Sequence, residues 1–361
     1  MNPKKWIIIF AIETVVLFIG ISAIVIVVDP YFHYHKPIAN MFYTLNNQRS
    51  QNNGIIKHFE YDSIITGTSM SENFKTSEFD KIFQAKSIKV CFSGGSYKEI
   101  NDNIKEAFDL GHEIKYVLRC LDYGKLLVEK DDMRTDLGEY PTYLYDMNPF
   151  NDVKYFLNKE IICDICIPMM INAYFRKEGG GITPFDMYSN WNDDFAFGAV
   201  NVLGDRKEYV KTVDDTIFTE SDCGIVKGTI KENVTDLAEA HPETTFYCFF
   251  SPYSIAYWGE LYENGEINRQ IDAEKIAIEQ MLEYSNIKLY SFNDQWNIIT
   301  NLDNYKDSRH YGEWINTEIL HMIHEERGYL TKENYREYIE KERNFYSNYN
   351  YQFYDGNENK K

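Results

Sequence analysis

Five short apolar runs alternate with helical stretches from residue 63 onward, and this alternation narrows the possible folds sharply. Ile64 and Ile65 mark the first run, Ile88 to Phe92 (IKVCF) the second and Ile114 to Leu118 (IKYVL) the third; Thr245 to Phe250 (TFYCFF) and Ile287 to Phe292 (IKLYSF) follow. Helical stretches fit between them, for example Asn101 to Leu110, Val226 to Ala240 and Arg269 to Tyr284. Strand and helix in alternation predict an α/β domain: a parallel sheet with helices on both faces, three layers deep and doubly wound. In such sheets ligands bind beyond the carboxyl ends of the strands, where Ser69, Gly94, Gly95 and Asp122 all fall.

The stretch Tyr61 to Phe74, YDSIITGTSMSENF, joins the first strand to a helix start. Gly67 permits a tight turn, and Ser69 is left at the strand's carboxyl end beside the amide-rich opening of the next element, where a nucleophilic serine belongs. The competing assignment makes Ser69 or Ser71 only a helix cap.

Upstream, Lys4 and Lys5 precede Trp6 to Val28, an apolar run whose helical length of roughly 35 Å exceeds the ~30 Å hydrocarbon core of a bilayer. β-Branched residues continue to Asp29-Pro30 without a small-residue cleavage site, which favours an uncleaved anchor over a signal peptide. The lysines before the span predict a cytoplasmic N-terminus (1–5), a transmembrane anchor (6–28) and an extracytoplasmic domain, so membrane lipid is an expected partner. Glu13 lies within the span. A membrane-proximal segment (29–58) leads into an α/β domain (59–330), and a C-terminal helix with a Tyr/Asn-rich tail (331–361) closes the chain. A formal charge of -19 argues against a nucleic-acid partner, because phosphate binding needs clustered Lys and Arg. The 29 tyrosines suit grooves that stack on sugars or on partner surfaces.

Between the third and fourth strands an insertion, 123–224, far exceeds an ordinary connection. It carries YPTYLYD, the run Gly179 to Gly181 and the aromatic, acidic YSNWNDDFAF. Leaving a strand at its carboxyl end, it is expected to cap the site or to stand as a decorative subdomain.

After the fifth strand, Asp307 and His310 have the spacing at which one loop presents an imidazole as general base while its carboxylate orients the ring. The alternative is a loop ion pair. Asp109 and His112 share this spacing but precede the third strand, at the amino edge, which separates them from Ser69. Weaker constellations are His33 with His35, His321 with His324, and Cys163 with Cys166; none has a full ligand set, so packing or solvated surface is the expected role, with at most a local disulfide. No metal and no cofactor are expected.

GTS ending the first strand, a glycine turn after the second and DxxH near the C-terminus together resemble SGNH/GDSL hydrolases. More narrowly they look like the membrane-anchored branch acting on bacterial envelope polymers, akin to alginate O-acetylation and teichoic-acid D-alanine transfer proteins. The likeness covers roughly Phe59 to Glu325, with the insertion unmatched, and implies an SGNH hydrolase-like, flavodoxin-like sheet. It further implies Ser69 as nucleophile, His310 as base and Asp307 as its orienting acid. The Ser69 amide and that of Gly94 or Gly95 would form the oxyanion hole, and Arg119 would be a substitute donor. Two departures stand out: Thr68 replaces the Asp of the GDSL signature, and RCLDY at the end of the third strand lacks the usual Gly-x-Asn. The function implied is a serine esterase or O-acyltransferase acting on an acylated envelope glycan. The alternative is a non-catalytic accessory protein that binds such a polymer or a membrane-bound acyltransferase.

Overall fold

The computed structural model describes residues 3–136, 139–146, 148–176 and 179–353, so the end of the expected tail lies outside the described residues. The chain forms two compact units: Met1–Glu60 with Thr135–Pro184, and Tyr61–Arg134 with Phe185–Lys361. The insertion over 123–224 is therefore divided between them.

In the first unit α1 (Pro3–Val28) is long and apolar enough to cross a membrane, which by length and composition fits an anchor or a signal sequence. Its last turn packs through Val25 and Val28 against Tyr31, Leu144, Tyr155, Ile161 and Cys166. The buried Asp29 carboxylate ends the helix. It accepts the backbone N–H groups of His33, Tyr34 and His35 at 3.0, 2.7 and 2.9 Å and the Tyr155 hydroxyl at 2.9 Å. α2 (Gln48–His58) and a two-residue parallel pairing of Phe42–Tyr43 with Gly181–Ile182 complete the frame. Gly54 belongs there for steric reasons, because a Cβ would run into the backbone of Tyr31 and Phe32.

The second unit contains a five-stranded, wholly parallel sheet: β1 (Ser63–Thr66), β2 (Ser87–Lys89), β3 (Tyr116–Leu121), β4 (Thr245–Phe250) and β5 (Ile287–Ser291). Their spatial order is β2-β1-β3-β4-β5. β1 is buried throughout, and each of Ile64 and Ile65, at 0% exposure, contributes roughly 1.5–3 kcal/mol of apolar burial. β2 is shorter than its apolar run suggests, yet the chain stays alongside β1. Val90 donates to the Ile65 carbonyl and Phe92 to that of Gly67, both at 2.9 Å. β3 lies opposite its neighbours in register, Ile64 facing Val117 and Thr66 facing Arg119.

Direction reverses at β1. The chain moves one way through α3 (Thr76–Phe83) to β2 and returns through α4 (Tyr97–Asp109) to β3, so right-handed crossovers put α3 and α4 on opposite faces. The helices 220–240 and Ile267–Met281 precede β4 and β5 on the α4 side, while Glu313–His324 packs back on α3. α4 starts at a capping box: Ser96 Oγ accepts from Glu99 N at 3.2 Å and the Glu99 carboxylate from Ser96 N at 2.9 Å. That cap fixes the chain just beyond the β2 turn.

Candidate active site

Ser69 opens a single 3-10 turn, Ser69–Ser71, directly after β1. The approach is tight at Gly67, whose φ of 150° and lack of a side chain are both required: a Cβ there would collide with Ser71 Oγ and come within 2.9 Å of Cys120 Cβ. Thr68 caps the turn, and its hydroxyl donates to Asp122 Oδ2 at 3.0 Å. Below the turn the buried Lys89 ammonium bonds the carbonyls of Glu72 and, at 2.9 Å, Phe74.

His310 reaches the same place from beyond β5. Its loop is closed by a bridge between Tyr305 and Tyr311. The loop is held from outside by Ser254 Oγ donating to the Ser308 carbonyl at 2.7 Å and by Tyr305 OH donating to that of Pro252 at 2.6 Å. Within it Asp307 Oδ1 accepts the backbone N–H groups of Arg309 and His310, both at 2.9 Å, which fixes the carboxylate before it meets the ring.

The three side chains form one relay. Ser69 Oγ lies 2.8 Å from His310 Nε2, and His310 Nδ1 lies 2.9 and 2.8 Å from the two Asp307 oxygens. An ionised carboxylate only accepts, so Nδ1 carries the proton and Nε2 is the acceptor for the serine hydroxyl. Burial pushes the Asp307 carboxyl up, but its bonds to the His310 ring and the two backbone amides outweigh this and hold it at about 2. Asp307 is thus the ionised partner at neutral pH.

Trp191, from the aromatic stretch of the insertion, completes the site. Its indole N–H donates to the Ser69 carbonyl at 3.3 Å, and its ring stands edge-on to His310 with centroids 5.6 Å apart. Asn73 Oδ1 accepts the Trp191 backbone N–H at 3.0 Å. Lys306 Nζ lies over the rings of Trp191 and Phe195 at 3.8 and 3.6 Å, and burial lowers its pKa. Sequence periodicity could not single out Trp191; its only signal was membership of YSNWNDDFAF.

The expected oxyanion donors fare differently. The Gly95 amide is committed to the Phe92 carbonyl at 2.7 Å, which leaves Gly94 as the candidate of the pair. Gly94 sits at φ 60° with the Arg134 guanidinium against it, and Arg134 Nη1 donates to the Ser93 carbonyl at 2.8 Å. Arg119 is corrected as a substitute donor. It alternates with Cys120 along β3 and so faces α4, where its buried guanidinium donates to the Tyr97 carbonyl at 3.2 Å. Burial lowers its pKa, and its role is to hold α4.

His112 stacks on Tyr61 at 4.7 Å, at the amino edge of the sheet. His33 pairs with Asp152 at 3.3 Å, His35 bonds the carbonyls of Lys36 and Ile26, and His324 meets the edge of Phe83. Cys163 and Cys166 are unbridged. Among the described residues no group of three or more His, Cys, Asp or Glu is placed to hold a metal.

Comparison with protein-family models, curated proteins and solved structures returned no match.

Proposed function

We propose that the second unit is a serine acyl-transfer enzyme of the SGNH type, tethered to a membrane by α1 and facing outward. Its substrate class is an ester-linked acyl group on a cell-envelope glycan. The observation that carries this reading is the Ser69–His310–Asp307 relay, assembled at the carboxyl edge of a parallel sheet whose order reverses at β1.

In this reaction Ser69 Oγ attacks the ester carbonyl carbon while its proton passes to His310 Nε2. Asp307 stabilises the imidazolium without taking the proton. The Ser69 amide and that of Gly94 receive the charge that forms on the carbonyl oxygen. As the C–O bond breaks, Nε2 returns the proton to the departing alkoxide and leaves an acyl-serine. A second hydroxyl, from water or a sugar, then gives its proton to Nε2 and takes the acyl group, and Nε2 returns the proton to Ser69 Oγ as the acyl-serine bond breaks, so the same residues serve hydrolysis and transfer.

A non-catalytic, polymer-binding role is the second reading, and Asp122 favours it. Its carboxylate stands at the end of β3, bonded to Thr68 Oγ1 and at 3.0 Å to Gly124 N, where it supplies no donor to an oxyanion.

Labelling of the full-length protein with a fluorophosphonate separates the two. The expected adduct is on Ser69, lost in His310→Ala with the circular dichroism spectrum unchanged. Absence of an adduct, or labelling indifferent to His310→Ala, would favour the accessory role. If the adduct forms, unlabelled protein is then compared for acyl release to water and to glycan hydroxyls.

A further inference from the structure

The first unit contains a second apolar helix, Ile161–Phe175, whose roughly 22 Å length is too short to cross a ~30 Å hydrocarbon core. Ile161 and Cys166 on one side are buried against Val25 and Val28, in the last turn of α1. The opposite side is exposed and, apart from Asp164 and the preceding Glu160, apolar. Cys163, Ile167, Met170, Ile171, Tyr174 and Phe175 recur at helical spacing and are all exposed, Ile171 by 47%, Tyr174 by 76% and Phe175 by 73%. Isolated exposed apolar residues are ordinary, whereas a continuous stripe of this kind marks a surface that meets something other than water.

Its place in the fold says what that is. The helix is packed on the turn of α1 at which the apolar run ends, and the Asp29 carboxylate fixes that exit by bonding three backbone N–H groups and Tyr155. The stripe therefore starts beside the last turn of α1, whose Ile26 and Val27 are themselves exposed, the level at which α1 as an anchor would meet the headgroups. Two aromatic residues, Tyr174 and Phe175, close it, and in sequence charged residues bound it on both sides, Lys159-Glu160 before and Arg176-Lys177-Glu178 after, so that the apolar stretch ends at aromatic and basic residues as an interfacial helix does.

We propose that Ile161–Phe175 lies in the plane of the bilayer that α1 enters, with the Ile167–Met170–Ile171–Tyr174 side sunk among the lipids, so that the first unit holds the membrane at two points. This rests on α1 being an anchor, and the test separates the two claims.

Single cysteines are placed at Ile171 and Tyr174, at Leu17 within α1 and at the exposed Lys159, in full-length protein carrying Cys163→Ser and Cys223→Ser. Each is labelled with a nitroxide and reconstituted into phosphatidylethanolamine/phosphatidylglycerol vesicles. Collision rates with oxygen, which partitions into lipid, and with a water-soluble nickel chelate are then measured. The expected result is an oxygen-to-chelate ratio several-fold higher at 17, 171 and 174 than at 159. A high ratio at 17 with 171 and 174 resembling 159 overturns the interfacial helix and leaves the anchor standing. Shielding of 171 and 174 from both reagents overturns it too, because a protein then covers the stripe. A low ratio at 17 removes the anchor and the inference together.

Discussion

The Thr68 hydroxyl donates to the Asp122 carboxylate at 3.0 Å, tying the turn that carries Ser69 to the end of β3. Thr68 and Asp122 are also the two places where the sequence departs from the pattern of the hydrolases it resembles, and the bond couples them. With a carboxylate at 122, an aspartate at 68 would set two negative charges a few ångströms apart. A hydroxyl there donates instead.

That coupling is testable by a double-mutant cycle. Thr68→Asp is expected to destabilise the protein by about 2–4 kcal/mol, the scale of two like charges at this separation in a partly buried site. Adding Asp122→Asn should recover most of the loss. Chemical denaturation in detergent measures both, and additive effects would show that the two positions are independent.

Trp191 contributes a donor and a wall. Trp191→Phe keeps the ring beside His310 and removes the bond to the Ser69 carbonyl, worth about 1 kcal/mol net, so the fluorophosphonate labelling rate should fall by roughly five- to tenfold. Trp191→Ala should cost more than Phe. Equal rates for the three proteins would remove Trp191 from the site.

Asp307 sets an acid limit. Its folded pKa of about 2 lies below the ordinary 3.8, so the stabilisation it confers is complete above about pH 4 and is lost as pH falls through 2. The stability difference between wild type and Asp307→Asn should therefore shrink across that window. A difference that stays constant down to pH 2 would show that the carboxylate is not held by the ring.

Lys89 gives a second window, at alkaline pH, in which stability also rises with pH. Burial lowers its pKa from 10.5 to about 8, so the unfolded chain binds the extra proton between these values and stability rises with pH there. Relative to Lys89→Met, wild type should gain up to about 3 kcal/mol from pH 8 to 10.5. Taking the difference cancels the groups common to both proteins. A flat difference would place the ammonium in solvent.

The relay was legible from sequence because strand order alone decides it: His310 follows the last strand and His112 precedes the third, so only one of two equal Asp-x-x-His spacings reaches the serine edge. Side-chain commitments were not legible. That Gly95 spends its amide on Phe92 depends on the turn closing, and that Arg119 faces α4 depends on the phase of β3, which the apolar run IKYVL does not fix by itself. Trp191 was out of reach for a different reason, since a hundred-residue insertion with no dominant periodicity gives no sign of which aromatic returns to the site. Neither did composition suggest that this insertion would be shared between two units.

Ser69 and His310 are 241 positions apart, and that distance orders events in time. The chain is made from its N-terminus, so the hydroxyl exists long before the imidazole that activates it. Until β5 has joined the sheet edge and the Tyr305–Tyr311 loop has closed, Ser69 is an ordinary alcohol. On the acyl-transfer function proposed above, a chain still being made, or one cut short before residue 310, would pass other acylated molecules without reacting with them.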